Sequence, residues 1–373
     1  MRKILVSTLL VLVMCAAAQA DIVYTTDAGA LGLIKTTSTS ADFRGTQYTN
    51  SGTDTLLGSY WDGSKSRIIL VNRTTDTTTS GDTALVFDPD NLTAPVDAEA
   101  KTLAGLYNAQ AVGGSYIGRS VFFTSGASIH EFDTSSFSHV RSYTYKPESG
   151  DSYTPTIKSL ITGQYRIYCL VDREGRYPKF LGFDGQLRDD VSKFVNVTVS
   201  SDASCISWLS NSRIAAGTPE GVSSWRTIGF VNVLSSDAPV TALCQDNGDG
   251  YYFTEQTVSE DTCTTTLRHY NPNSDTTSTL YTESTGRASQ LLYDDNNKLL
   301  AAIVGSKILV YRMSDDSLIG EYSSDILGGL PVNVALCSVS GDDGKTSSGC
   351  NAGMGMIMFL ACACVILKRR YSN

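Results

Sequence analysis

Short segments in which apolar and polar residues alternate, each ending in an aromatic residue followed by a turn, recur along the chain. The clearest pair lies at 126–143 and 305–322, where Ile129 aligns with Ile308 and Phe132 with Tyr311. Alternation with a period of two residues is typical of β-strands. The pattern predicts a body made of repeated strand units.

The aromatic residues that end these segments follow one steady period. They are separated by about 45, 51, 47, 40 and 41 residues, and they are Phe87, Phe132, Phe183, Phe230, Tyr270 and Tyr311. Each period also contains an upstream apolar strand. A period of roughly 40–50 residues with several strands is typical of propeller blades, because one four-stranded sheet cannot bury both of its faces alone.

Six blades are directly visible, and 21–61 predicts a degenerate seventh with Leu31 and Leu33 in its anchor strand. Segment 331–336 is expected to pair with the first blade and close the ring. The predicted fold is therefore an all-β propeller of about seven blades, with six or eight as alternatives and tandem β-sandwiches as the second architecture. WD and kelch motifs are missing, and in period and pattern the body resembles divergent bacterial YncE-like and WD40-like propellers.

Charge limits the classes of partner. The net charge is -9, and the two ends contribute five positive charges and no acid, so the middle of the chain is at -9 - 5, or -14. An acidic body repels phosphate backbones, which excludes nucleic acid as a partner and permits cations.

Residues 1–20 have the pattern of a secretory signal peptide. Two basic residues precede an apolar run at 4–13, and Ala18 and Ala20 occupy the small-residue positions before Asp21. Signal peptidase selects this spacing. We expect cleavage after Ala20, export of the protein, and a propeller domain at 21–339.

The C-terminal region has the pattern of a membrane anchor. A flexible linker at 340–349 precedes a tail at 350–373, in which an apolar run at 354–367 is followed by three basic residues. Such a run predicts a tail helix that crosses the membrane, with its basic end in the cytoplasm.

Within the last 25 or so residues, Gly349, Cys350, Asn351, Ala352 and Gly353 precede the apolar run and basic end. This order resembles the Synerg-CTERM class of bacterial sorting signals, although the run contains Met and Cys and the chain ends in Tyr-Ser-Asn. The resemblance implies an envelope sorting machinery as partner and display on the cell surface, with Cys350 as the hypothetical processing residue. A permanent transmembrane anchor is the alternative.

Catalytic motifs are missing from the sequence. No P-loop, G-x-G-x-x-G, G-x-S-x-G or H-E-x-x-H pattern occurs. His130 and His269 are interpreted as solvent-facing strand residues, and Asp315 and Asp316 as solvated turn residues. The body cysteines show no C-x-x-C spacing, so they predict either two disulfides or buried single thiols.

One turn resembles a calcium loop. Asp246, Asn247 and Asp249 place oxygen donors around a glycine turn, but Gln245 stands where the first Asp of such a loop belongs. Calcium is therefore the one candidate cofactor, and an ordinary Asp-Gly turn is the simpler interpretation.

Arginines are concentrated in the middle blades, at Arg166, Arg173, Arg176, Arg188, Arg213 and Arg226. A cluster of them at the central channel would suit an anionic glycan. Scattered strand charges are the simpler interpretation.

The sequence predicts an exported, surface-displayed propeller that binds an extracellular glycan or protein and is not catalytic. The alternatives are a propeller enzyme acting on extracellular polysaccharide or peptide, and a structural surface-layer component. Converging His, Arg and carboxylates in the channel would favour the enzyme, whereas a wall of Ser, Thr and apolar residues would count against it.

Overall fold

The computed structural model describes residues 20–338, apart from short gaps at 53, 63, 115–118, 148–151, 163–165, 184–186, 188–192, 200–201, 209–213, 227–228, 247, 249, 260–261, 285–287 and 295–296. The predicted signal peptide up to residue 19 and the predicted linker and tail from 340 lie outside the described residues.

The described strands form seven antiparallel sheets of four strands each. The first blade contains β1 (Ala20–Thr26), β2 (Ala30–Thr36), β3 (Ala41–Thr49) and the last strand of the chain, β28 (Pro331–Ser338). The second contains β4 (Thr55–Trp61), β5 (Ser66–Asn72), β6 (Gly81–Phe87) and β7 (Lys101–Ala104). The third contains β8 (Ala111–Gly114), β9 (Ser120–Ser125), β10 (Ser128–Asp133) and β11 (His139–Thr144).

The remaining blades follow in chain order. The fourth contains β12 (Pro155–Thr162), β13 (Ile167–Arg173), β14 (Arg176–Phe183) and β15 (Lys193–Thr198). The fifth contains β16 (Cys205–Trp208), β17 (Ile214–Thr218), β18 (Gly221–Arg226) and β19 (Gly229–Ser235). The sixth contains β20 (Val240–Gln245), β21 (Tyr251–Ser259), β22 (Thr262–Asn271) and β23 (Thr276–Glu283). The seventh contains β24 (Ala288–Asp294), β25 (Leu299–Val304), β26 (Lys307–Arg312) and β27 (Ser317–Ser323), and the short helix α1 (Ser324–Leu327) leads on to β28.

Seven inner strands, one from each blade, surround the central channel. They contact one another in the ring order β28, β4, β8, β12, β16, β20, β24 and back to β28. We define the upper face by the turns between the second and third strands and by the connections from one blade to the next. The lower face carries the turns between first and second strands and between third and fourth strands.

The two ends of the described chain close the ring. β28 pairs antiparallel with β1, from Ala20 opposite Ser338 to Thr26 opposite Pro331. On the upper face, the backbone N–H of Asp27 donates to the Leu330 carbonyl at 2.9 Å, and the Leu330 N–H donates to Asp27 Oδ1 at 2.8 Å. The predicted closure and the predicted number of seven blades are confirmed.

The hydrophobic core lies between adjacent blades. Between the second and third blades, for example, buried Tyr60 and Phe137 meet edge to face, with ring centroids 6.1 Å apart. Burying one such side chain contributes roughly 1.5–3 kcal/mol. The alternation in the sequence therefore supplies two apolar faces for each blade, one for each neighbour.

One of the recurrent aromatic residues does not occupy the equivalent strand. Phe230 lies in the outermost strand of its blade, β19, whereas the other five lie in the third strands, and the third strand of the fifth blade is β18 with Trp225. The two rings pack with centroids 5.5 Å apart. Cross-strand pairing of Trp225 with Phe230 gives both residues the same face of the sheet, so the sequence pattern could not separate them.

Across the described part of the chain, no helix is long and apolar enough to span a membrane.

Candidate functional site

The wall of the central channel carries almost no charge. In the seven inner strands, Lys158 and Asp294 are the charged residues, and the others are Ser, Thr, Asn, Gln, Gly, Cys, Pro, aromatic and aliphatic residues. Lys158 Nζ lies 3.0 Å from Asp172 Oδ2. Asp294 is buried and accepts hydrogen bonds from Asn297, with Nδ2 to Oδ2 at 2.9 Å. The inner strands thus bring together no pair of groups for acid–base chemistry.

Polar and aromatic groups are instead found on the upper face, between the third and fourth blades. Two tyrosines come from the connection between these blades, and three further residues come from the turn between β13 and β14. We call this set the arginine–tyrosine surface, and its members are Tyr145, Tyr153, Arg173, Arg176 and Tyr177.

A two-residue turn positions the arginines. Glu174 and Gly175 join β13 to β14, and Gly175 has a φ of 71°, which a residue without a side chain adopts at little cost. The register shifts between Val171 and Arg173, so that Arg173 lies opposite Arg176. Residues paired across strands share a face, and both guanidinium groups therefore point to the same side of the hairpin.

Arg173 is the buried arginine of the arginine–tyrosine surface, and it is held by a hydrogen bond to the backbone. It is only 6% exposed, and its Nε donates to the Tyr177 carbonyl at 2.8 Å. The Tyr145 and Tyr153 hydroxyls are 3.3 Å apart. Burial, with the Tyr153 hydroxyl beside it, raises the pKa of Tyr145 to about 12, although the nearby Arg173 acts in the opposite direction. Tyr145 therefore stays neutral over the physiological range.

Arg176 and Tyr177 form the accessible part. Arg176 is exposed, and its guanidinium carbon lies 5.5 Å from the centroid of the Tyr153 ring, a cation–π distance. Tyr177 is 57% exposed, which is unusual for a large aromatic residue. Positive charge and aromatic area thus lie side by side.

The segment that contains this surface is less acidic than the body. From 141 to 179, which includes residues at both faces of the fourth blade, the sequence contains seven Lys and Arg and four Asp and Glu, a net charge of +3 in a body at -14. Of the arginines named from the sequence, Arg173 and Arg176 lie opposite each other in the β13–β14 hairpin, on the upper face and not in the central channel. Arg166 precedes β13 at the lower end, where its Nη1 donates to the Tyr168 hydroxyl at 3.3 Å. Arg188, Arg213 and the side chain of Arg226 lie outside the described residues.

The turn with the predicted calcium ligands is on the lower face of the sixth blade. Asp246 Oδ1 accepts hydrogen bonds from the backbone N–H groups of Gly248 at 2.6 Å and Gly250 at 2.9 Å. Asn247 and Asp249 lie outside the described residues. Among the residues that are described, no group of three His, Cys, Asp or Glu side chains could hold a metal ion. The calcium site stays a prediction.

The second oxygen of Asp246 contacts His269. His269 Nε2 lies 3.2 Å from Asp246 Oδ2, and Nδ1 lies 2.7 Å from Asp316 Oδ2 on the seventh blade. The ring stacks on Tyr252 with centroids 4.2 Å apart, and the Tyr252 hydroxyl donates to Asp316 Oδ1 at 2.7 Å. These four side chains form a cluster that we call the inter-blade clasp.

Charge in the inter-blade clasp is fixed by its hydrogen bonds. Burial alone would lower the pKa of His269, but the hydrogen bonds to Asp246 and Asp316 outweigh it and raise the pKa to about 9. At neutral pH both ring nitrogens of the imidazolium therefore donate to carboxylates. The interpretation of His269 as solvent-facing was wrong, since its side chain is 11% exposed. Asp316 lies in a turn, as predicted, but its carboxylate also accepts hydrogen bonds from His269 and Tyr252.

His130 is also not a solvent-facing residue. It is half-buried, with its ring centroid 5.9 Å from that of His139. Burial, with a smaller contribution from His139, lowers the pKa of His130 to about 4. It is neutral at physiological pH and packs as an aromatic ring.

The cysteines with described side chains are in no disulfide bond, and they are Cys169, Cys205, Cys244 and Cys263. Burial raises the pKa of Cys205 to about 11 and raises that of Cys169 still further. Of the two interpretations of the cysteines, single thiols therefore hold for these four residues, of which Cys169 and Cys244 are buried.

The predicted processing residues fall mostly beyond the described chain. Ala18 and the sorting residues at 349–353 lie outside it, whereas Ala20 and Asp21 begin β1. Asp21 is buried and accepts a hydrogen bond from the Thr36 N–H at 3.2 Å, and burial raises its pKa. The cleavage site stays a prediction.

Solved propellers share this fold. A candidate 6-phosphogluconolactonase from Bacteroides fragilis NCTC 9343 is similar with a TM-score of 0.57 and 12% identity, covering 86% of this chain and 99% of that chain. A candidate 6-phosphogluconolactonase from Bacteroides uniformis ATCC 8492 has a TM-score of 0.53 and 14% identity, and the match covers 86% of this chain and 99% of that chain. The β-propeller domain of Cps50 (Swd1) from Myceliophteria thermophila has a TM-score of 0.48 and 12% identity, and the match covers 74% of this chain and 88% of that chain.

At these identities the likeness shows the fold alone. No protein-family model matches the chain, and no curated protein matches it.

Proposed function

We propose that this protein is an exported β-propeller, displayed at the cell surface, that acts as a non-catalytic binding module for an extracellular ligand. The observation that carries the proposal is the composition of the channel wall, whose two charged residues, Lys158 and Asp294, are each held by a neighbour. General acid–base or nucleophilic catalysis needs converging titratable groups within hydrogen-bond reach of a substrate.

The one described histidine with two carboxylate partners gives no support to catalysis. Both nitrogens of His269 contact aspartates, and its ring is covered by Tyr252. A group with all its donors occupied stabilises a structure better than it transfers protons. The exposed, chemically distinct part of the molecule is the arginine–tyrosine surface, so ligand binding at the upper face is the function best supported.

Thermal unfolding of the purified full-length protein tests the proposal. Melting curves would be measured with neutral and acidic oligosaccharides, peptides and calcium. A ligand at 100 times its Kd stabilises the folded state by about 2.7 kcal/mol, which gives a clear upward shift in Tm. An upward shift in Tm, with the ligand recovered chemically unchanged, supports a binding module.

Product analysis of the same mixtures separates the alternatives. Cleavage of an oligosaccharide or peptide would replace the proposal by an enzyme acting on extracellular polymers. A shift with calcium alone, together with self-association, would replace it by a structural surface-layer component. No shift with any compound would contradict the proposed module.

Export and anchoring are part of the same proposal, and they are motivated by Ala18 and Ala20 at the N-terminal end and by residues 349–353 at the other. Cell fractionation with mass spectrometry of the mature ends would test them. We expect a first residue of Asp21 and a surface-accessible protein. Deletion of 350–373 should release the protein into the medium, and a cytoplasmic, uncleaved chain would contradict export.

A further inference from the structure

We propose that the closing strand β28 controls removal of the leader: the peptide bond after Ala20 is accessible to signal peptidase until β28 pairs with β1, and is inaccessible afterwards. Leader removal then has to precede ring closure. The inference rests on the export that is part of the proposed function, and it adds the order of two steps, cleavage first and closure second.

The bond to be cleaved lies inside a strand. β1 begins at Ala20, and Ala20 and Asp21 lie opposite Ser338 and Cys337 of β28. The peptide bond that joins them is therefore part of the ladder that closes the ring. β1 is the second strand of its blade and lies between β28 and β2, so it has a neighbouring strand on each side once the ring is closed.

Side-chain contacts hold the first residue after this bond as well. Asp21 is only 6% exposed, and its Oδ1 accepts a hydrogen bond from the Thr36 N–H of β2 at 3.2 Å. Thr36 in turn accepts a hydrogen bond from Asn297 of the seventh blade, with Nδ2 to Oγ1 at 3.4 Å. Moving the bond into the active site of an enzyme would break the contacts of β1 with both of its neighbours.

A peptidase needs the opposite arrangement. Proteins bind extended segments by pairing with a free strand edge, and proteolysis of folded proteins is concentrated in exposed or locally unfolded segments. Before β28 arrives, the edge of β1 that β28 later occupies is free. After pairing, cleavage requires the ladder to open, so its rate is limited by the small fraction of chains in the open form.

The order of strands along the chain supplies the necessary delay. β1 is the first strand of the described chain, and β28 is the last and begins at Pro331. At roughly 5–20 residues per second, synthesis of the chain between them takes tens of seconds. During that time β1 can pair with β2 but not with β28. The bond after Ala20 therefore stays accessible while the rest of the body is being made.

Digestion of the purified precursor with signal peptidase tests the inference. The full-length precursor, with its leader, would be folded in mild detergent and its folding confirmed by a melting curve. The control variant carries a spacer of about ten Gly and Ser residues between Ala20 and Asp21, which keeps the leader and moves the bond out of the ladder. A precursor that ends at residue 329 lacks β28 and leaves the edge of β1 free.

Mass spectrometry of the new N-terminus would follow cleavage over time. We expect the spacer variant and the chain ending at residue 329 to lose the leader rapidly. The folded full-length precursor should lose it at least about a hundredfold more slowly, because only its open fraction is cleaved.

The other outcomes separate this inference from the proposed export. Equal rates for the full-length precursor and the spacer variant would overturn the inference and leave export standing. Resistance of the chain ending at residue 329 would also overturn it, since β28 would then not be the protecting element. If none of the three precursors is cleaved after Ala20, export itself is contradicted and the inference fails with it.

A second measurement covers the case in which the precursor does not fold with its leader attached. Chains pulse-labelled in the exporting cell would be sampled over several minutes for the presence of the leader and for resistance to protease. We expect loss of the leader to come before resistance. Chains that become resistant first and lose the leader later would overturn the inference.

Discussion

His269 Nδ1 lies 2.7 Å from Asp316 Oδ2, and this contact joins the third strand of the sixth blade to a lower-face turn of the seventh. On its other side, the same ring reaches Asp246 of its own blade at 3.2 Å. A charged hydrogen bond between these blades adds to the apolar packing and to the other polar contacts between them, such as that from Lys307 Nζ to the Tyr281 hydroxyl at 2.7 Å.

The first prediction concerns pH. The pKa of His269 is raised to about 9 in the folded protein, against about 6.5 for an unfolded chain. Its stabilisation is therefore complete below pH 6.5 and is lost as the pH rises through 9. The size is roughly 1–3 kcal/mol, and we expect Tm to fall between pH 6.5 and 9.5.

His269→Gln should flatten that decline, because the titrating group is gone. His139→Gln is the matched control, since His139 is exposed on the outer strand of the third blade. Melting curves at half-unit pH steps would compare the three proteins. Equal pH slopes for the wild type and His269→Gln would show that the inter-blade clasp is not the titrating element.

The second prediction concerns Asp316. Its φ is 54°, a left-handed conformation that Asn tolerates well, so Asp316→Asn removes the charge with little backbone strain. We expect a loss of about 1.5–3 kcal/mol in the free energy of unfolding, because the imidazolium and the Tyr252 hydroxyl lose a charged acceptor. Denaturant unfolding would measure it.

Asp315→Asn serves as the control for that experiment. Asp315 pairs with Arg312 at the surface of the same turn, with Nη2 to Oδ2 at 2.6 Å, and solvent screens this pair. Its loss should leave stability nearly unchanged. If Asp315→Asn were as destabilising as Asp316→Asn, the loss of stability would come from the turn in general and not from the Asp316 carboxylate.

The third prediction concerns ring closure. A chain ending at residue 329 lacks β28, so β1 loses its ladder partner and the first blade loses its inner strand. We expect this chain to lose cooperative unfolding and to become sensitive to protease. A chain ending at residue 339 keeps every described strand and should melt like the full-length protein. A stable, protease-resistant chain without β28 would contradict closure by this strand.

The fourth prediction concerns thiol reactivity. Cys169 is fully buried and burial raises its pKa, so the reactive thiolate is scarce and inaccessible. Cys263 is half-exposed near the upper end of the β21–β22 hairpin. Peptide mass spectrometry after brief alkylation should find Cys263 modified and Cys169 unmodified, with both modified in denaturant. Early labelling of Cys169 in the native protein would contradict its burial.

The repeat and the closing strand were predictable from sequence because they depend on local alternation. The register of Phe132 with Tyr311 marks equivalent positions on β10 and β26. The inner strands were harder to recognise. β8 and β16 have four residues each, which is too short to show a clear alternation, and β8 consists only of Ala, Val and Gly.

The inter-blade clasp could not be predicted, since residues 246, 269 and 316 lie far apart in the sequence and belong to two adjacent blades. The sequence did show that each of these residues lies near the end of a strand or in the turn after it. Which turns of adjacent blades meet depends on the radial stacking. The arginine–tyrosine surface was missed for the same reason, because Tyr153 and Arg176 belong to different loops.

Ala20 and Ser338 lie opposite each other in the ladder between β1 and β28. Both strands reach the lower face at these residues, so whatever chain precedes the first strand and follows the last leaves from one spot on one side of the disc. A tether attached at that position would hold the propeller with its lower face toward the support. The arginine–tyrosine surface would then face the medium, whether the tether is attached at the N-terminal or the C-terminal end of the propeller.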